Sequence, residues 1–223
     1  VSVIRLLPLD KQQRVVMENP EAVGGGFTML PRGGIPGNKP EFILLNSEEN
    51  IQKCLEFRYR HVLEPCKSLS QFFVFINKPY RLNLLYLVSQ MFDMNGEYED
   101  LLTYAWTSTE FPHQMRIPEL VRMFEKADLN KLMDVDDRRK YDELPDEITV
   151  YRGLQDGRAK RRGLSWTTDQ EVAVWFASRW HSGESKVLQA TIRKSKVYMY
   201  SDGRNEKECV VNPRYLKNVR QIA

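Results

Sequence analysis

Three short elements in the last third of the chain carry residues that could do chemistry together. Thr149-Val150-Tyr151-Arg152-Gly153 reads as a strand ending in an arginine. Gly163-Leu164-Ser165-Trp166-Thr167-Thr168 reads as a hydroxyl-rich strand leading into an amphipathic segment. Asn205-Glu206-Lys207-Glu208-Cys209-Val210-Val211 sets two carboxylates one residue apart at the head of an apolar run. An arginine holds a phosphate with a planar fork of donors, which a lysine lacks. A serine can orient a ribose, and a carboxylate can stabilise a developing sugar cation, as in glycoside hydrolysis. Together they suggest a nucleotide site that breaks a glycosidic bond. Each element also has a plainer structural reading. Arg152 could pair with a surface acid. Ser165 could open a turn before a helix, although Thr168 or Asp169 is the better cap, with Glu171 in the first turn. Glu206 and Glu208 could share one solvated face of a strand, since side chains alternate with a period of two.

In order, spacing and strand context, these elements resemble the Arg–Ser–Glu class of mono-ADP-ribosyltransferases, which includes bacterial toxins and vertebrate ecto-enzymes. The resemblance runs from about Ile148 to the C-terminus and covers the upstream helices in outline. Glu171-Val172-Ala173-Val174-Trp175-Phe176-Ala177 resembles the helix that follows the Ser-x-Thr strand in such enzymes, and Val210-Val211-Asn212-Pro213 is similar to their ending. The resemblance implies NAD as co-substrate and no metal. It implies that Arg152 holds the phosphate and ribose side of NAD, and that Gly153 lets the backbone approach the nicotinamide amide. Ser165 would position the catalytic glutamate and the nicotinamide ribose, with Thr167 buttressing that strand. Glu208 would be the catalytic carboxylate, and Glu206 would face the acceptor. In the resembled class, Glu at the first position of Glu-x-Glu accompanies arginine acceptors. A protein arginine is therefore the expected acceptor, ahead of a nucleic acid. Such proteins act as bacterial effectors, toxin–antitoxin toxins and phage-associated proteins, so an antitoxin or chaperone is a conceivable partner. The segment from Leu154 to Leu164 is shorter than in many toxins and carries Arg158, Lys160, Arg161 and Arg162, which suggests a basic loop near the phosphates.

Composition is that of a globular chain. The 223 residues are 42% hydrophobic and 28% charged, which suits one domain or two small ones. No apolar run approaches the roughly 20 residues that cross a bilayer, and Val1 to Leu9 lacks a signal-peptide pattern. Three cysteines (Cys54, Cys66, Cys209) fit neither a disulfide framework nor a zinc site. His61 lies between two of them, but no fourth ligand follows at zinc-like spacing. A cytoplasmic site of action follows, in the producing cell or in one the protein is delivered into. The net charge of +3 is uneven: from Asp146 onward there are 15 Lys and Arg against 9 Asp and Glu, leaving 18 against 21 upstream. A basic C-terminal part attracts a dinucleotide, and equally a nucleic acid.

The positioning elements change character along the chain. Residues 1–45 hold Gly24-Gly25-Gly26, Gly33-Gly34, Pro36, Gly37 and Pro40, which predicts a turn-rich extended arm with a strand near Glu41 to Leu45. A phosphate loop is excluded there, because no Gly-Lys-Ser/Thr ending follows. Residues 46–145 predict helices: one capped by Asn46 or Ser47 and stopped by Pro65, one over Leu82 to Phe92, one over Tyr98 to Thr107, one opened by Pro118, and one between Asn130 and Leu144. From residue 146 the period shifts to strands, with Ile148 and Val150, then Leu188, Ala190 and Ile192, then Val197 to Tyr200 and Cys209 to Val211. Helices followed by strands predict an α+β fold. By resemblance, it would be an N-terminal helical lobe packed on a split β-sheet NAD-binding core, with 46–223 as one catalytic domain. Three other functions fit the same residues: an NAD glycohydrolase, a non-catalytic nucleic-acid-binding module using the basic face, and an inactive interaction protein.

Overall fold

The structure, a computed structural model, describes residues 27–30, 41–44, 49, 68–74, 76, 78–91, 94, 96–109, 115–154, 163–179 and 185–222. The expected helix carrying Ile51, Leu55 and Val62, the Cys54, His61 and Cys66 group, and the basic segment with Arg158, Lys160, Arg161 and Arg162 lie outside the described residues. The fold is α+β. The chain divides into two compact units, Val1–Met115 and Arg116–Ala223. The division falls inside the 46–145 stretch, so its last two helices go with the strands.

In the first unit, β1 (Phe27–Leu30) pairs antiparallel with β2 (Glu41–Leu44), Phe27 opposite Leu44. Among the described residues after β2, the helices α1 (Leu69–Val74), α2 (Arg81–Met91) and α3 (Tyr98–Ser108) follow. The apolar run in α2 buries Leu82, Leu84, Leu85 and Val88, and α3 buries Tyr98, Leu101, Leu102 and Ala105. Buried Arg81 donates from Nε to the Ile76 carbonyl at 2.9 Å and from Nη2 to the Val74 carbonyl at 3.3 Å, which satisfies acceptors at the end of α1.

The second unit opens with α4 (Ile117–Lys126), where Pro118 sits in the first turn and Glu119 accepts from the Arg116 backbone N–H at 2.9 Å. Its buried Phe124 stacks on Tyr198 at 5.6 Å. A 3-10 turn (Leu129–Lys131) and α5 (Val135–Asp142) occupy the charged segment, where one helix was expected. Asp134 breaks that segment: its carboxylate accepts from the Asp137 N–H at 2.8 Å and starts α5 afresh. The six strands are β3 (Glu147–Leu154), β4 (Ser165–Thr167), β5 (Lys186–Arg193), β6 (Val197–Ser201), β7 (Glu208–Val211) and β8 (Lys217–Gln221). They form one sheet in the order β6-β7-β4-β3-β5-β8, all neighbours antiparallel. One face buries Ile148, Val150, Leu154, Trp166, Leu188, Ala190, Ile192 and Cys209 as the main core. The Cys209 thiol is fully buried there, and burial pushes it up to about 12, so it stays protonated and inert.

The other face receives α6 (Gln170–Ser178) over β3, through Ala173, Ala177 and Val187. Gly153 allows that approach. A Cβ at this position would meet the backbone carbonyl oxygen of Ala173 and lie 2.6 Å from the Ala177 nitrogen. Backbone atoms of a packed helix cannot rotate away as a side chain can, so the clash must move the whole helix. Gly153→Ala should therefore lower stability by about 1–3 kcal/mol. Urea unfolding measures this, and an unchanged midpoint would show that α6 shifts freely.

Candidate functional site

All six residues singled out by type and spacing belong to the second unit, and the strand order explains how they meet. β4 lies between β3 and β7, so the serine strand separates the arginine strand from the glutamate strand. Thr167 stands opposite Glu208 and Ser165 opposite Val210. Directly opposite residues share a face, so Ser165, Thr167 and Glu208 emerge on the same side, and Trp166 and Cys209 point into the core. Glu208 is only 8% exposed.

Arg152 reaches this group by another route. It pairs with Leu188 on β5, so alternation sets its Cβ on the core face with Val150 and Leu154, opposite to Ser165 and Glu208. β3 pairs with β4 at a single position, Tyr151 opposite Thr167. Beyond it, towards Arg152 and Leu154, the two strands part. The Arg152 guanidinium fills the opening, and its Nη1 donates to the Ser165 carbonyl oxygen. That carbonyl lies where a continued ladder would have placed a β3 partner. Part of the side chain reaches solvent, but Nε is fully buried with no hydrogen-bond partner. Burial pulls the guanidinium down to about 10, and the Glu208 carboxylate opposes that shift. Arg152 therefore stays charged at neutral pH, with an unsatisfied donor and a carboxylate close enough to act on it. A buried unsatisfied donor costs about 1–3 kcal/mol, and an anionic or polar ligand would remove that penalty.

Gly163 makes room for the guanidinium. A Cβ on Gly163 would lie 2.6 Å from Arg152 Cζ and closer still to Nη2. The segment cannot easily recoil: the Trp166 indole donates to the Gly163 carbonyl at 2.9 Å, and the Val211 N–H to the Leu164 carbonyl at 2.9 Å. Gly163 stands in the sequence motif, but its part in seating Arg152 was not read there, because nothing in the sequence says which side chain comes against it.

The two glutamates are not neighbours on one strand face. β7 begins at Glu208, and the preceding Asn205 and Lys207 take left-handed φ values of 58° and 45°. This turn breaks the period-two alternation, so Glu206 sits outside the strand. Its carboxylate is held by Arg204 at 2.7 Å. Its backbone carbonyl accepts from the Thr167 hydroxyl at 2.7 Å, and the same hydroxyl accepts from the Asp169 N–H at 3.0 Å. Thr167 thus ties β4, the start of α6 and the glutamate turn together. Asp169 caps α6 through the Glu171 N–H at 2.9 Å and pairs with Lys207 Nζ at 2.8 Å. For Gly153, the structure gives a packing reason, since α6 occupies the space beside it. Among the described residues, no group of three His, Cys, Asp or Glu side chains could hold a metal ion, and no helix is long and apolar enough to cross a membrane.

In comparisons with known proteins, the chain matches no family model, no curated protein and no solved structure.

Two outcomes test this geometry. Gly163→Ala should destabilise the protein by about 1–3 kcal/mol, and most of that loss should vanish in an Arg152→Ala background. A double-mutant cycle by urea unfolding reads the coupling directly, and additive losses would place the strain elsewhere. The Lys207 ammonium holds the Asp169 carboxyl below the usual carboxylate range. A depressed folded pKa adds stability above the unfolded value, near 3.9, and that stability is lost as pH falls through the folded value. Asp169→Asn keeps the cap and removes the charge. It should cost about 0.2–1 kcal/mol at neutral pH, and the difference should shrink to nothing in urea titrations carried down past the folded pKa. A gap that persists in acid would mean that the cap, not the ion pair, carries the effect.

Proposed function

We propose that the protein is an NAD-dependent mono-ADP-ribosyltransferase that transfers ADP-ribose to a macromolecule, with a protein arginine as first choice. The observation that carries this reading is the buried Arg152 guanidinium at the parting of β3 and β4, with Nε unpartnered and Glu208 close enough to act on it. The split between the two halves of the sheet supports the finer fold reading, an ADP-ribosyltransferase-like core. The donor set fits a dinucleotide: a charged planar fork for phosphate or ribose oxygens, with a serine hydroxyl and a carboxylate on one face of the two strands beyond it.

When bound, NAD supplies an ADP-ribosyl group whose bond to nicotinamide breaks as positive charge develops on the ribose. The chain's own residues then have separate tasks. Arg152 binds and orients the phosphate and ribose side. Ser165 orients the ribose beside Glu208. Glu208, fixed on β7 and largely screened from water, accepts a hydrogen bond from a ribose hydroxyl and sets negative charge where positive charge grows. Low exposure strengthens that interaction, because a charge works harder away from bulk solvent. Glu206 sits on the turn at the more open end, where it can orient an incoming acceptor and take its proton.

Purified wild type and variants would be incubated with labelled NAD and a cell lysate split by protease or nuclease treatment. Glu208→Gln should keep the fold and slow nicotinamide release about 10²–10³-fold. Glu206→Gln should spare NAD breakdown and lose transfer. Arg152→Lys should weaken NAD binding at least about tenfold, since a point charge replaces a fork. Label destroyed by protease and not by nuclease supports a protein acceptor, and the reverse moves the acceptor to nucleic acid. Nicotinamide release without labelled macromolecule favours a glycohydrolase. No release from wild type, with salt-dependent polynucleotide binding that Glu208→Gln leaves intact, would overturn the enzyme reading in favour of a binding module.

A further inference from the structure

The turn between β6 and β7 places a guanidinium on the carboxylate that faces the acceptor. Arg204 Nη2 lies 2.7 Å from Glu206 Oε2. The two partners differ in how firmly they are held. Glu206 is anchored through its backbone carbonyl by the Thr167 hydroxyl, and its side chain is 18% exposed. Arg204 has a side chain that is 50% exposed and donates to Glu206. The turn is closed by its own hydrogen bonds. Asp202 accepts from the Lys207 N–H at 3.1 Å, the Asn205 N–H donates to the Asp202 carbonyl at 2.9 Å, and Asn205 is left-handed. Lys207, the other cation nearby, is taken up by Asp169. The geometry therefore pairs a fixed carboxylate with a displaceable guanidinium, and the guanidinium is the chemical group of an arginine acceptor.

We infer that Arg204 occupies the acceptor seat on Glu206, competes there with incoming arginine side chains, and is itself an ADP-ribosylation site. This rests on the transferase reading and deepens it by naming an acceptor within the chain. In the step, an Arg204 guanidinium nitrogen bonds to the anomeric carbon of the nicotinamide ribose of NAD. The carbon–nitrogen bond to nicotinamide breaks, and nicotinamide leaves neutral with the bonding electron pair. The proton lost from the guanidinium passes to Glu206 and then to solvent, so nothing is oxidised or reduced. The glycosylated guanidinium keeps its positive charge, but modification adds a bulky group carrying two anionic phosphates to the turn, so the first turnover would change access to the site.

The seat is testable without NAD. Arginine methyl ester, followed by NMR titration of the NAD-free protein, should bind Arg204→Ala up to about fivefold more tightly than wild type, the range expected from removing a competing exposed ion pair. Glu206→Gln in the same background should abolish that gain. Equal affinity in wild type and Arg204→Ala would overturn the competition. With NAD, peptide mass spectrometry of wild type should find one ADP-ribosyl group on the peptide carrying Arg204, absent in Glu206→Gln and Glu208→Gln. Nicotinamide release with that peptide unchanged would overturn the modification and leave the transferase reading standing. No nicotinamide release at all would overturn both, and the release assay reports that separately.

Discussion

The second unit turns on one local fact: its central strands meet at a single paired position and then diverge. Tyr151 opposite Thr167 joins two three-stranded halves, β6-β7-β4 and β3-β5-β8. A sheet that opens in its middle exposes carbonyls that would otherwise be paired, and buried backbone acceptors need partners. The Arg152 guanidinium answers part of that need by donating to Ser165. Its flat shape lets it lie against Gly163, where a Cβ would collide with it. The same guanidinium keeps a buried donor unsatisfied and suffers burial of its charge, so the opening is held by a group that is itself underbonded.

What could be read from the sequence follows from how each element is stabilised. β3 and β5 were legible because each alternates buried and exposed residues, and α2 because its apolar residues are nearly continuous. Pro118 marked the start of α4, since a missing N–H costs nothing in the first turn. β8 was not legible: Lys217 to Gln221 is exposed throughout and reads as polar coil, yet it is a strand because its backbone joins the edge of β5. The charged segment before β3 was expected as one helix, but the Asp134 cap interrupts it, and a cap inside a charged run looks like any other acid.

The candidate site shows the same limit. Residue types and order picked out Arg152, Ser165, Thr167, Glu206 and Glu208, and topology alone could say that the serine strand would lie between the other two. Alternation places the Arg152 Cβ on the far face from Glu208, and the divergence of β3 and β4 lets its guanidinium reach the Ser165 carbonyl. Alternation would also have placed Glu206 beside Glu208. The left-handed Asn205 and Lys207 prevent that; asparagine is enriched at positive φ, but a lysine there gives no such sign.

That broken alternation bears on the chemistry. Two carboxylates side by side on one buried face would repel, and one of them would hold its proton near neutrality. The turn separates their environments instead. Glu208 is buried on a strand, and Glu206 stands on the turn with Arg204 as its own counter-charge. One is positioned by the sheet and the other by the turn. Thr167 couples the two arrangements, because one hydroxyl holds both the turn that carries Glu206 and the first residue before α6. The turn that carries Glu206 is thereby tied to the strand that stands opposite Glu208.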